Sequence, residues 1–163
     1  MRARSPVYIE IQGENPMPTS TPKYCPLCFP FGETLLWHDA SCRVIRVKDA
    51  DYPGYCRLIW NEHVAEMSDL TPTEQRHCFN ILMAVEVALR ECFRPEKINL
   101  ASFGNVVPHL HWNLIPRYLD DRHFPQPIWG QAQRKSGGSP APEVDDARLA
   151  LAIRNAIAEH LAG

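Results

Sequence analysis

The sequence lacks a strong charge of either sign, and it lacks long hydrophobic runs. Its 163 residues carry a formal net charge of −2. No apolar stretch approaches the roughly 20 residues that a membrane-spanning helix needs. The first part of the chain contains arginines but not the apolar segment of a secretion signal. These absences give no electrostatic case for a nucleic-acid partner or a membrane, and they predict a cytoplasmic protein.

The chain also shows no internal repeat, and its composition is ordinary. Hydrophobic residues make up 45% and charged residues 22% of the sequence, as in a typical globular protein. The length favours one domain with a normal hydrophobic core. We predict a flexible, proline-containing extension at 1–23, a main domain at 24–130, a mobile loop at 131–145 and a C-terminal helix at 146–163.

The alternation of apolar and polar residues predicts an α+β fold. Short apolar or alternating segments indicate strands at 35–37, 42–47, 55–60, 98–103 and 110–115. One long helix begins at Thr71, an N-cap residue that is followed by Pro72 and Glu74. Pro95 ends that helix because it disfavours helical geometry at the residue before it. Strands, a long helix, further strands and a last helix over 146–161 indicate a mainly antiparallel sheet with helices packed on one face.

The segment His109-Leu110-His111-Trp112-Asn113 places polar side chains on one face of the last predicted strand. Side chains alternate along a strand, so His109, His111 and Asn113 share a face, and the two apolar residues between them face the core. A row of polar groups needs solvent, a metal or a ligand as its partner. The pair of histidines alone is weak evidence, because two partly exposed strand histidines are the common alternative.

The residues around this pair resemble the signature of the histidine triad (HIT) family. That signature has three histidines that alternate with apolar residues and are commonly followed by Pro-Arg, and the segment 104–117 is similar to it. Cys25-Pro26-Leu27-Cys28, Asn61-Glu62-His63-Val64 and Asp69-Leu70-Thr71-Pro72 recur in the same order in the family. The resemblance covers about residues 24–130, and it is strongest to bacterial members described as diadenosine-polyphosphate-hydrolase-like.

The resemblance implies a five-stranded antiparallel sheet, a homodimer and a nucleotide cleft over the histidine strand. It also implies that His111 attacks the α-phosphorus of a dinucleoside polyphosphate or nucleotide conjugate. The product is a covalent nucleotidyl-histidine that water or another acceptor resolves. His109 takes the supporting first position. The residue type suits this chemistry, because imidazole has an unperturbed pKa of about 6.5 and is largely neutral near pH 7.

The third histidine of the signature is replaced by Asn113. A carboxamide can donate a hydrogen bond to phosphate, but it is not an acid near pH 7. We therefore predict slower hydrolysis, with amine leaving groups affected most, or nucleotidyl transfer to another acceptor. A nucleotide-binding protein with weak or no catalysis is the remaining alternative.

Three further residues are candidates for nucleotide binding. Asn105 lies in the turn before the histidine strand, where Val106 occupies the position of a serine that contacts phosphate in many family members. Asp49 is the nearest candidate for an aspartate that binds ribose in many members. Arg117 is a candidate phosphate contact, and a surface role at the strand end is its alternative.

Cys25 and Cys28 have the two-residue spacing of zinc ligands. With His63 and His109 they form a set that some family members use for zinc. Such an ion would be structural, because all four positions are filled. His38 in place of His63, or a reduced cysteine pair in a surface loop, are the alternatives. The other four cysteines lie in apolar or amphipathic stretches and are interpreted as free, small hydrophobic residues.

Overall fold

The computed structural model describes residues 25–135 and 141–162. The strands are β1 (Thr34–His38), β2 (Cys42–Arg46), β3 (Cys56–Trp60), β4 (Lys97–Ser102) and β5 (His111–Arg117), and the helices are α1 (Pro72–Phe93) and α2 (Asp146–Ala162), with a short 3-10 helix at Met67–Asp69. The predicted extension at 1–23 and residues 136–140 of the predicted mobile loop lie outside the described residues. Neither described helix is long and apolar enough to cross a membrane.

The strands form one sheet in the order β1-β2-β3-β5-β4, and all neighbouring strands are antiparallel. The predicted α+β fold with a five-stranded antiparallel sheet is therefore confirmed. β5 lies between β3 and β4, so residues of both neighbours flank the histidine strand. Arg57 of β3 and Ala101 of β4 both lie opposite Asn113 of β5.

Helix α1 begins at the predicted capping box. The Thr71 hydroxyl accepts the backbone N–H of Glu74 at 3.4 Å, and the Glu74 carboxylate accepts the backbone N–H of Thr71 at 2.7 Å. Pro72 takes the first helical position, where the missing N–H costs no hydrogen bond. The helix ends at Phe93, and Arg94 adopts the left-handed conformation that commonly follows a helix, with φ of 48°.

Strand β5 differs from its predicted bounds at both ends. It begins at His111 and continues through Pro116 to Arg117, two residues beyond its predicted end at 115. The proline is tolerated because β3 pairs with β5 only as far as Leu114, so Pro116 has one neighbouring strand instead of two.

The core lies between the helices and one face of the sheet, and it determines which face of β5 remains for chemistry. Leu110 and Leu114 are buried in this core, and Trp112 packs against it, as the alternation predicts. Each buried leucine side chain stabilises the fold by about 1.5–3 kcal/mol. Four free cysteines also pack in the core as small hydrophobic residues: Cys42, Cys56, Cys78 and Cys92.

Candidate active site

A pocket of about 630 Å³ lies over the polar side of β5. Its polar lining comes from Arg57, Asn105, His111 and Asn113, and its apolar lining from Pro26, Leu27, Phe103, Val106, Val107 and Trp129. Small-molecule sites have volumes of about 300–1,000 Å³ and combine apolar walls with a few polar groups. The structure thus brings three of the predicted site residues together: Asn105, His111 and Asn113.

His111, the first residue of β5, is oriented by a hydrogen bond to the backbone. Its Nδ1 lies 2.7 Å from the carbonyl oxygen of His109. A carbonyl oxygen only accepts, so Nδ1 carries the proton and Nε2 keeps its lone pair. Burial lowers the pKa of His111; the hydrogen bond opposes this shift, and the charge of Arg57 adds to it. The neutral imidazole with a free Nε2 is the form that a nucleophile requires.

The Asn113 side chain is buried and hydrogen-bonded at both ends. Its Oδ1 accepts from the Tyr55 hydroxyl at 2.7 Å and from Arg57 Nε at 3.2 Å. Its Nδ2 donates to the Ala101 carbonyl oxygen at 3.0 Å. The amide therefore joins three strands, and its main contacts are with the protein. One N–H of the amide remains for a ligand, so the predicted contact with phosphate stays a prediction.

An aromatic pair forms one wall of the pocket. The rings of Phe103 and Trp129 meet edge to face, with their centroids 4.8 Å apart. Both side chains are about half exposed, at 49% and 50%. An exposed aromatic surface beside a polar site is suited to stacking against a flat, apolar part of a ligand.

Cys25, Cys28, His63 and His109 converge beside the pocket. The Cys25 Sγ and His109 Nδ1 atoms are 3.3 Å apart, the Cys28 Sγ and His63 Nδ1 atoms 3.3 Å, and the two histidine Nδ1 atoms 3.2 Å. A tetrahedral zinc ion bound by two sulfur and two nitrogen atoms requires donor separations of about 3.3–3.8 Å. The predicted set of four can therefore hold a metal ion, with His63 and not His38 as the fourth member.

A further hydrogen bond directs His109 to this cluster. Its Nε2 donates to the Trp60 carbonyl oxygen at 2.7 Å, which leaves Nδ1 for the cysteines and His63. The ring is fully buried. His109, His111 and Asn113 were predicted to share one face, and the cysteine loop that His109 contacts also lines the pocket over His111 and Asn113. His109 precedes β5 and turns to the cysteines, whereas the other two residues line the pocket.

Asp49 and Arg117 do not line the pocket. Asp49 is exposed, and its carboxylate accepts the backbone N–H of Asp51 at 2.9 Å, so its contact with ribose stays a prediction. Arg117 is buried and donates to Asp121 at 2.6 Å and 3.0 Å, to the Asn99 side chain, and to a backbone carbonyl oxygen. Its guanidinium stabilises the fold and is not available to a phosphate in the pocket.

The Arg117–Asp121 ion pair predicts a large loss of stability in Asp121→Asn. Burial favours a raised pKa for Asp121, but hydrogen bonds from Arg117 and from backbone N–H groups lower it. Because the pKa is lowered by folding, the pair stabilises the protein above the unfolded-state pKa, and this contribution is lost as the pH falls through the folded-state value. We expect Asp121→Asn to lower the free energy of unfolding by about 3–5 kcal/mol in urea titrations at neutral pH, because an uncompensated charge stays buried.

Asp146→Asn is the matched control for this experiment. Asp146 pairs with Arg46 at 2.7 Å, but its side chain is 57% exposed. We expect a loss of about 0–1 kcal/mol. Equal losses in the two variants would show that the buried position of Asp121 has no special importance.

Arg57 and Phe103 are among the pocket residues that were not identified from the sequence. Arg57 interrupts the otherwise apolar segment Cys56–Trp60, which is a signal that its side chain faces away from the core. Phe103 follows the end of β4, and no local pattern places it beside the histidine strand.

The fold and the site define a small α+β protein in which strand β5 presents a neutral histidine to a ligand-sized pocket. The model of the HIT domain matches residues 32–120, which is more than half of the sequence. The chain belongs to the histidine triad family.

Relatives of known structure or activity agree with this assignment. A histidine triad protein from Bradyrhizobium japonicum superposes with a TM-score of 0.62 at 28% identity, covering 77% of this chain and 90% of that one. A histidine triad protein from Marinobacter aquaeolei superposes with a TM-score of 0.61 at 26% identity, covering 78% of this chain and 90% of that one. The asymmetrical bis(5'-nucleosyl)-tetraphosphatase of Schizosaccharomyces pombe is 24% identical over 115 residues. That match spans 67% of this chain and 63% of the relative, so the chain covers less than two thirds of the tetraphosphatase.

Proposed function

We propose that the protein is a nucleotide-phosphate hydrolase that cleaves at the α-phosphate of a dinucleoside polyphosphate or nucleotide conjugate. The observation that carries this proposal is the state of His111, whose Nδ1 is held by the His109 carbonyl oxygen while the ring faces the pocket. The activity of the yeast tetraphosphatase supports the choice of substrate class.

In the proposed reaction, His111 Nε2 attacks the α-phosphorus and forms a P–N bond. The bond from phosphorus to the bridging oxygen breaks, and the leaving polyphosphate takes the electron pair. Because the attacking imidazole is neutral, no proton has to leave Nε2 beforehand. The positive charge that develops on the ring is stabilised by the hydrogen bond from Nδ1 to the His109 carbonyl oxygen. The oxygen of a water molecule then bonds to phosphorus, and the P–N bond breaks with its electron pair returning to Nε2. A proton of the water passes to solvent, the nucleoside monophosphate is released, and neutral His111 is restored.

The apolar part of the pocket is the proposed binding site of the nucleobase. Phe103 and Trp129 offer aromatic surface, and Leu27 and Val107 line the pocket with them. Stacking of a base on an aromatic side chain contributes about 1–3 kcal/mol. The phosphates then lie near the polar groups of β3 and β5.

We infer that the cluster of Cys25, Cys28, His63 and His109 binds a structural zinc ion. Burial and the neighbouring Cys25 raise the pKa of Cys28 to about 11, and a bound zinc ion would keep the coordinating thiols deprotonated. All four positions are protein ligands, which is typical of structural sites. The cysteine loop carries Pro26 and Leu27, so holding it fixes one wall of the pocket.

A nucleotidyl transferase is the second candidate, and the bonding of Asn113 favours it. The amide supplies no acid and is fixed by Tyr55, Arg57 and Ala101. When the nucleotidyl-histidine forms without proton delivery to the leaving group, its nucleotidyl group can be transferred to an acceptor other than water. Homodimerisation and cytoplasmic location stay predictions, and light scattering of the purified protein would test the first.

Mass spectrometry of the protein after incubation with diadenosine tetraphosphate tests the proposal. We expect an adenylyl group on His111, with AMP and ATP released in solution. Added phosphate distinguishes the two candidates, because a transferase forms ADP where a hydrolase forms AMP. Nucleotide binding with neither adduct nor turnover would leave a binding protein and contradict the proposed function.

A further inference from the structure

An arginine of β3 stands opposite the altered position of the triad. Arg57 is paired with Asn113 in the sheet register and lines the same pocket as His111. Its Nε donates to Asn113 Oδ1 at 3.2 Å, and its Nη2 donates to the Tyr55 hydroxyl at 3.4 Å. The Arg57 side chain is therefore held in place by neutral groups.

The positive charge of Arg57 has no acidic partner in the described part of the chain. The ion pairs formed there involve Arg43, Arg46, His77, Arg117 and Arg122. A guanidinium has five N–H donors, and the two hydrogen bonds of Arg57 leave three for a ligand. An uncompensated cation with free donors, beside apolar walls that weaken solvent screening, is suited to bidentate binding of phosphate.

The chemistry that Arg57 and Asn113 provide together differs from that of a third histidine. A protonated imidazole can give its proton to a departing group, whereas a guanidinium stays protonated and contributes only charge and hydrogen bonds. An imidazolium at position 113 would also lie beside the like charge of Arg57. Asn113 avoids this repulsion, and its Oδ1 orients the arginine instead.

We propose that Arg57 binds the polyphosphate chain of the substrate beside His111 and makes the site selective for anionic phosphate leaving groups over amines. This inference rests on the proposed function, because it assigns a role within that reaction. A departing polyphosphate carries its charge on oxygen and is stabilised by a fixed cation without protonation. A departing amine needs a proton, which neither Arg57 nor Asn113 delivers.

The first test compares two substrates in Arg57→Gln and Arg57→Lys. We expect Arg57→Gln to slow adduct formation from diadenosine tetraphosphate about a hundredfold, as removal of a charge-stabilising donor does. The rate of adduct formation from adenosine phosphoramidate falls less. The ratio of the rate with diadenosine tetraphosphate to the rate with the phosphoramidate therefore drops at least about tenfold. Arg57→Lys keeps the charge and recovers part of the ratio. Equal losses on both substrates would show that Arg57 only positions Asn113, and unchanged rates would show that it has no role; either result overturns the inference.

The second test measures binding, and it separates failure of this inference from failure of the proposed function. By calorimetry, Arg57→Gln should lower the affinity for ATP at least about tenfold and leave the affinity for adenosine nearly unchanged. If the wild-type protein forms no adduct, the proposed reaction fails, and the ATP measurement still decides the role of Arg57. ATP affinity equal to wild type overturns the inference.

Arg46→Gln is the matched control in both tests. Arg46 lies on the neighbouring strand β2, is partly buried, and donates to the Val144 carbonyl oxygen and to Asp146. It does not line the pocket. We expect Arg46→Gln to keep the wild-type affinity for ATP and the wild-type ratio of the two adduct-formation rates, even if its thermal stability falls as much as that of Arg57→Gln.

Discussion

His111→Ala is expected to abolish the adenylyl adduct and to lower turnover of diadenosine tetraphosphate about a thousandfold or more. The loss is large because the pocket contains no substitute for the imidazole. Its other polar lining residues are Arg57, Asn105 and Asn113, and none of these side chains is a nucleophile at neutral pH. Intact-mass spectrometry of a quenched reaction measures the adduct, and chromatography of released AMP measures turnover.

His38→Ala is the matched control for this variant. His38 ends β1, is exposed and does not line the pocket, so we expect wild-type adduct and turnover. ATP binding should survive in His111→Ala, because the aromatic wall and Arg57 remain. An adduct of undiminished yield in His111→Ala, or one mapped to another residue, would contradict the assigned nucleophile.

The features that the sequence predicted well are those with local causes. The capping box at Thr71 and Glu74 lies within four consecutive residues, so the start of α1 can be found without the rest of the chain. The core face of β5 follows from simple alternation, because Leu110, Trp112 and Leu114 alternate along the chain with His109, His111 and Asn113. Local patterns of this kind gave the number and type of the elements.

The arrangement of the site depends on contacts that no local pattern encodes. Arg57 meets Asn113 only because β5 pairs with β3, which precedes it by a whole helix and another strand. Cys25 and Cys28 form a local pair, but His63 and His109 lie far from them in the chain, and only the resemblance to the family added these two residues to the set. For Arg117, the nearby Asp121 is visible in the sequence, but the burial that makes their pairing decisive is not.

The bonding of Asn113 changes the interpretation of the altered triad. From its residue type alone, the amide is a weakened substitute for histidine at the phosphate. In the structure it accepts hydrogen bonds from Tyr55 and Arg57. The residue at the position of the third histidine thus orients the Arg57 side chain and supplies no proton. If Arg57 binds the polyphosphate as we propose, the substitution alters which leaving group the site favours.

Loss of the metal cluster is the second change expected to have a large effect. We expect the protein purified without added zinc to contain zinc, and Cys28→Ser to lose it and to unfold at a Tm lower by roughly 10 °C or more. Metal binding that occurs only in the folded state adds its free energy to folding, so losing the ion destabilises the chain directly. Metal analysis and calorimetry measure the two effects.

Cys92→Ser separates loss of the metal from loss of a buried thiol. Cys92 packs in the core near the end of α1, outside the cluster, so this variant should lower the Tm but keep the zinc. In Cys28→Ser the adduct on His111 should also form more slowly, because the loop that carries Leu27, one wall of the pocket, is no longer held in place by the metal. Zinc-free wild-type protein, or full zinc content in Cys28→Ser, would contradict the proposed zinc site. In that case the hydrogen bond from His109 to Trp60 would still help to hold the segment before β5.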